Sequence, residues 1–217
     1  MSQAGMPRPS KTYSNLERAI GAMATMEKGQ PYGLRPEDAK RRLAEELARL
    51  CREAGVEPLV IGGLAVNHHG YSRFTADVDL LVSKAEALPL VQRFKREHGW
   101  RRHREGFRNT ALDVGVDICV EGDRTSPRSA ETFPAPGNLR SVAVRPLPVP
   151  ALSELIALKV MSGRARDDAD VVELLKRHRR RISPLRTAAA RRLRTTEARA
   201  RLKALVARAR EELERLR

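Results

Sequence analysis

Apolar residues along the chain follow two periods, and the change from one to the other marks out the elements. Leu16, Ile20, Met23 and Met26 recur at helical spacing until the Gly29, Pro31, Gly33 cluster stops them. A second helix is predicted from Pro36, a favourable first-turn residue, to near Gly55, with Leu43, Leu47, Leu50 and Cys51 on one face. Pro58 to Ile61 then reads as a short buried strand that breaks at Gly62-Gly63 into a helical turn ending near Gly70. From Asp77 to Val82 the period is two: Val78, Leu80 and Val82 take one face, Asp77 and Asp79 the other. Both carboxylates therefore point the same way.

An amphipathic helix is predicted over Ala85 to His98, and the clearest strand over Leu112 to Glu121. In that strand Leu112, Val114, Val116, Ile118 and Val120 face inward, while Asp113, Gly115, Asp117, Cys119 and Glu121 share the other side. Gly122 to Asn138 is rich in Pro, Ser, Thr and Gly and reads as a long loop, followed by a short strand near Val142 to Val144. Pro146, Pro148 and Pro150 make an extended crossing. Ser153 is expected to cap a helix running to Met161, and Asp167 to His178 to form another. From Pro184 the pattern is helical to the end, with Ala198, Leu202, Val206, Ala209, Leu213 and Leu216 as a narrow stripe that packs on the parent body or on a second copy.

Charge adds a second layer. Of a total of +15, the segment 176–217 carries +12, from sixteen Lys or Arg against four Glu. Such an excess suits a polyanion, RNA above all, although aromatics at 4% give no sign of an interleaved stacking platform. The longest apolar run, Leu59 to Val66, is too short to span a bilayer, and residues 1–13 are polar. A flexible N-terminus, a cytoplasmic protein and no membrane partner are the expectations. Cys51 and Cys119 fall in different elements and read as reduced packing residues.

Chemistry concentrates between Gly62 and Asp117. A glycine pair lets backbone approach a phosphate closely, and two carboxylates at i and i+2 on one strand, joined by a third on a neighbour, suit divalent cations. Asp117 is the preferred third carboxylate, with Asp113 of the same parity as the alternative. Adjacent His68 and His69 would diverge on a helix and read as structural or as a rim.

The run IGGLAVNHHGYSRFTADVDLLV resembles the DNA polymerase β-type nucleotidyltransferase superfamily, and more narrowly its AbiEii toxin and minimal-nucleotidyltransferase branch, through Gly62, Gly63, Ala65, Arg73, Thr75, Asp77 and Asp79. The stretch from Leu147 to Leu175, with Lys159 followed by an Arg and Asp cluster, resembles that branch's C-terminal helices. The resemblance covers residues 56–176 and implies an α/β (α+β) fold, a mixed sheet flanked by helices with a helical C-terminal region. It implies a nucleotidyltransferase domain over 14–148, with its N-terminal helices, and a basic helical region over 149–217.

By the same resemblance Asp77, Asp79 and Asp117 would bind two Mg²⁺ ions, and Gly62, Gly63, Arg73 and Lys159 would hold an NTP. The activity implied is transfer of NMP to a hydroxyl acceptor with release of pyrophosphate. In a toxin-antitoxin setting the acceptor would be tRNA or another RNA, with a cognate toxin or antitoxin as a possible partner. A protein hydroxyl, an antibiotic, or a non-catalytic RNA-binding role are the alternatives. Departures from the pattern are Gly63, where the family often has Ser, and Ser162, where a second basic residue is common and Arg164 or Arg166 would substitute. The Asp167, Asp168, Asp170 cluster reads most simply as the acidic first turn of a helix.

Overall fold

In a computed structural model the chain is described over residues 36–216, with side chains from residue 43. The flexible N-terminus expected over 1–13 and the helix expected over Leu16 to Met26 lie outside the described residues. The first described helix, α1 (Pro36–Glu53), leads into strand β1 (Leu59–Ile61), the short helix α2 (Gly62–His68) and strand β2 (Asp77–Val82). Helix α3 (Lys84–Arg96) follows, opened by a capping box in which Ser83 and Glu86 satisfy each other's backbone N–H groups. Strands β3 (Trp100–His103), β4 (Gly106–Asn109) and β5 (Val114–Val120) complete the sheet, in the order β1-β2-β5-β4-β3. Only β2 and β5 run parallel; the other neighbours are antiparallel. The fold is therefore a mixed α/β sheet flanked by helices, as expected.

Strands β6 (Ser141–Val142) and β7 (Val149–Pro150) form a separate ribbon, and Pro148 accepts a hydrogen bond from the Val60 amide at 2.8 Å, tying the ribbon to β1. Helices α4 (Leu152–Ser162), α5 (Ala165–Arg177), α6 (Ile182–Ala190) and α7 (Thr196–Glu214) complete the chain. Helix α4 is buried along its whole length, its apolar residues in the core and its Ser153, Glu154, Lys159 and Ser162 each bonded to a neighbouring side chain. The other three helices wrap it and one another. Under the sheet, Phe94 stacks on Phe107 at 4.8 Å between ring centres and meets Trp100 edge-on at 4.9 Å. None of the described helices is long and apolar enough to cross a membrane.

Four expectations change. The hairpin β3–β4 was not predicted: its loop is Arg104-Glu105, with Arg104 at φ 48° instead of the Asn-Gly pair that announces such turns. Strand β5 starts at Val114, because Asp113 adopts φ 54° and leaves the ladder. Ser153 is not a cap; Ala151 precedes the helix, and Ser153 accepts from Arg140 Nη2 at 3.0 Å. The C-terminal helix is broken at 191–195, where Thr195 caps α7 by accepting from the Ala198 amide. The stripe packs on the parent body: Ala198, Leu202, Val206 and Ala209 are buried, whereas Leu216 at the end is 76% exposed.

Candidate active site

Three carboxylates gather where β2 and β5 run side by side. Asp79 lies level with Asp117, and Asp77 level with Gly115. A Cβ at Gly115 would fall 2.2 Å from Asp77 Oδ1, so the bare backbone there gives the Asp77 carboxylate room to lie across β5. Gly62 plays the same part for Asp79. It has φ +64°, and a Cβ would fall 1.7 Å from Asp79 Oδ2. Gly63 makes room for Thr75 and Arg73, whose atoms would lie 2.5 Å and 3.1 Å from an added Cβ. The glycine pair thus seats the site's own side chains.

Gly62, Asp79 and Asp117 border a cleft of about 750 Å³. Its basic lining is Arg102 and Arg104 from the hairpin, Arg124 from the following loop, and Lys159 and Arg164 from the helical region. Ala87, Leu88, Val91, Val120 and Phe133 add an apolar portion. Asp77 is not part of that lining. Burial, followed by the charges of Asp117 and Asp77, pushes Asp79 up to about 6 against the pull of Lys159 and Arg164. Asp117 is raised too, by burial first and then by Asp77 and Glu105. Asp113 belongs elsewhere. Its exposed carboxylate takes Arg108 Nε at 2.5 Å, which holds it below the usual range, and it does not border the cleft.

The cationic residues expected to hold phosphate are already engaged. Arg73 forks onto Asp170, with Nε to Oδ1 at 2.6 Å and Nη2 to Oδ2 at 2.7 Å. Buried Lys159 bridges Asp167 at 2.5 Å and Asp170 at 2.9 Å. Asp167 also accepts from Ser162 Oγ and from Arg164 Nε at 2.7 Å. Burial opposes its charge, but Lys159, Ser162 and Arg164 outweigh that and hold it below the usual range. The cluster read as a favourable first helical turn therefore supplies the hub of a buried ion network, with Asp167 at 2% and Asp170 at 1% exposure. Arg164 borders the cleft with a side chain 65% exposed, whereas Arg166 donates to the Phe74 carbonyl at 2.9 Å.

Magnesium fits this donor set in kind. Asp77, Asp79 and Asp117 offer hard oxygens, and Asp79 and Asp117, raised by burial first and by neighbouring carboxylates second, would have their charged forms favoured by a cation. Among the described residues no three His, Cys, Asp or Glu side chains already converge as a cage, so the carboxylates must rotate inward to share an ion. His69 is structural: its Nε2 meets the Pro150 carbonyl at 2.8 Å, and burial pushes it down to about 4.

A mixed sheet whose two parallel neighbours carry level carboxylates beside a glycine turn defines the class of the chain as an α/β fold with a cleft lined by both carboxylates and basic side chains. Among solved structures, the antibiotic-resistance factor ANT(2'')-Ia in solution matches at 16% identity and TM-score 0.41, over 82% of this chain and 95% of that one. The crystal structure of ANT(2'')-Ia with adenylyl-2''-tobramycin matches at 13% identity and TM-score 0.37, over 80% and 98%. A candidate nucleotidyltransferase from H. pylori matches at 15% identity and TM-score 0.34, over 81% and 98%. No protein-family model matches the chain, and no curated protein matches its sequence. Likenesses this loose assign no activity, which rests on the cleft.

Proposed function

We infer that the chain transfers a nucleoside monophosphate from an NTP to an acceptor hydroxyl, releasing pyrophosphate. The observation that carries this reading is the level pair Asp79 and Asp117, both raised, bordering beside Gly62 a cleft ringed by arginines, with Asp77 on the same strand two residues before Asp79. Magnesium ions held by the trio would neutralise the triphosphate and draw electrons from the attacked phosphorus. Asp117 accepts the proton of the acceptor hydroxyl as its oxygen bonds to the α-phosphorus and the bond to the β-phosphate oxygen breaks. Arg164, Arg102 and Arg104 attract the phosphate tail, Arg164 being the helical-region cation with the most freedom to turn toward it. Lys159 and Arg73 act behind them: Lys159 moderates the charge of Asp79, and Arg73 fixes the loop that delivers Asp77. The acceptor favoured is RNA, on the strength of the +12 carried by residues 176–217.

Incubation with α-labelled NTPs and Mg²⁺, offering RNA, whole-cell protein and tobramycin as acceptors in parallel, tests the reading. Label is expected on RNA, and Asp77→Asn is expected to lower transfer at least about a hundredfold. Label on protein or tobramycin alone would move the acceptor to those classes. Equal transfer by wild type and Asp77→Asn would end the assignment.

A further inference from the structure

The loop 69–76 has no regular structure, yet it is held at almost every residue. Asn67 clamps the Arg73 backbone in both directions, its side-chain amide donating to the Arg73 carbonyl at 2.9 Å and accepting from the Arg73 amide at 2.8 Å. Buried Thr75 donates to the Asp77 carbonyl at 3.2 Å. With Arg73 and Thr75 turned inward, the intervening Phe74 is turned out, and it is 46% exposed. Its carbonyl is gripped from two sides, by Arg73 Nη1 at 3.0 Å and Arg166 Nη2 at 2.9 Å. An exposed aromatic on a braced loop, three residues before Asp77, is presented to a partner.

Helix α5 runs along that loop. Arg166 and Arg177 are eleven residues apart, three turns, and so share one face about 16 Å long. At its far end the Arg177 guanidinium lies over the Tyr71 ring, 5.7 Å from the centroid, and the following His178 Nε2 meets the His69 carbonyl at 3.0 Å. Beyond it Arg179 and Arg180 border a groove of about 660 Å³ with Arg210 and Glu214. The acids along the face are engaged: Asp170 by Arg73 and Lys159, Glu173 by Lys176 at 2.6 Å. Exposed Arg166, Arg177, Arg179 and Arg180 have no carboxylate partner among the described residues.

We propose that this strip, from Phe74, three residues before Asp77, through Arg166 and the Arg177–Tyr71 pair to Arg179 and Arg180, is a track for single-stranded nucleic acid, with Phe74 stacking a base toward the reacting end. It deepens the transfer reading by naming the acceptor's path. Unpaired arginines match a phosphate backbone, and a single exposed ring suits an unpaired base, which a duplex cannot offer. Aromatics are few in this chain, so composition hides the platform that the loop assembles.

Fluorescence anisotropy of the full chain with a labelled single-stranded 12-mer oligoadenylate, set beside Mg-ATP calorimetry on the same preparations, decides. Phe74→Ala is expected to weaken binding about tenfold with the salt slope unchanged, and Phe74→Trp to restore it. Arg177→Ala and Arg180→Ala are each expected to lower the slope of log K against log salt by about 0.7. Unchanged binding by Phe74→Ala, equal affinity for a duplex, or equal affinity for labelled polyglutamate would overturn the track, the last in favour of an acidic protein. An oligonucleotide that fails to bind a chain that binds Mg-ATP sinks the track and leaves the transfer reading standing. One that binds a chain transferring no label does the reverse.

Discussion

Each of the site's glycines answers to a particular oxygen or carbon, which makes the consequences of substitution specific. Gly62→Ala adds a methyl 1.7 Å from Asp79 Oδ2 at a φ of +64°, so transfer is expected to collapse, with a loss of about 1–3 kcal/mol in urea denaturation. Asp79 itself trades stability for chemistry. Its carboxyl titrates at about 6 in the folded chain against an ordinary 3.8, so the folded state favours the proton. That stabilisation is fully present below about pH 4 and is lost as pH rises through 6. Asp79→Asn is therefore expected to raise the melting temperature of the metal-free protein at pH 7.5, by an amount equivalent to about 2 kcal/mol, and to leave it unchanged at pH 4. Magnesium should raise the wild-type melting temperature at pH 7.5 and have little effect on the variant; the reverse would remove Asp79 from the metal site.

Between elements, the cohesion of the site depends on Asp170. One buried carboxylate joins the loop before β2, through Arg73, to α4, through Lys159, while sitting on α5. Asp170→Asn leaves buried Lys159 and partly buried Arg73 short of charge, and an expected loss of about 3 kcal/mol should appear as a lower urea midpoint with unchanged slope. The elements carrying strong periodicity were legible in the sequence: β2 with its outward aspartates, the centre of β5, and α5. The Asp170 network was not, because an acidic cluster at a helix start is explained locally by the dipole, and nothing local shows that Asp167 and Asp170 face inward. The hairpin escaped for a different reason. Its strands are short and crowded with Arg and His, and its turn lacks a glycine in the loop. Gly106 was the available signal, for a Cβ there would fall 1.8 Å from the Val116 carbonyl. Lys159 was expected at phosphate from the resemblance, and nothing local in the sequence shows that Asp167 and Asp170 both pair with it.

At the scale of the whole molecule, one apolar core runs from Leu43 through the sheet to Leu155, Leu175 and Ala209. A chain ending at residue 148 would lose strand β7 and expose the core that α4 fills, so it is expected to show no cooperative thermal transition. That outcome would make the expected division at residue 148 one of charge, since the one apolar cluster takes residues from both sides of it. The pairing of β2 with β5 has one more effect. These are the only parallel neighbours in the sheet, and a parallel pair cannot close through a tight turn; here α3 and the β3–β4 hairpin intervene in sequence. Level placement of Asp79 with Asp117 must therefore await distant segments meeting, the slow kind of event in folding. A nascent or damaged chain has its aspartates but not their alignment, so any chemistry that needs the two side by side arrives late and all at once, as a certificate that the sheet is finished.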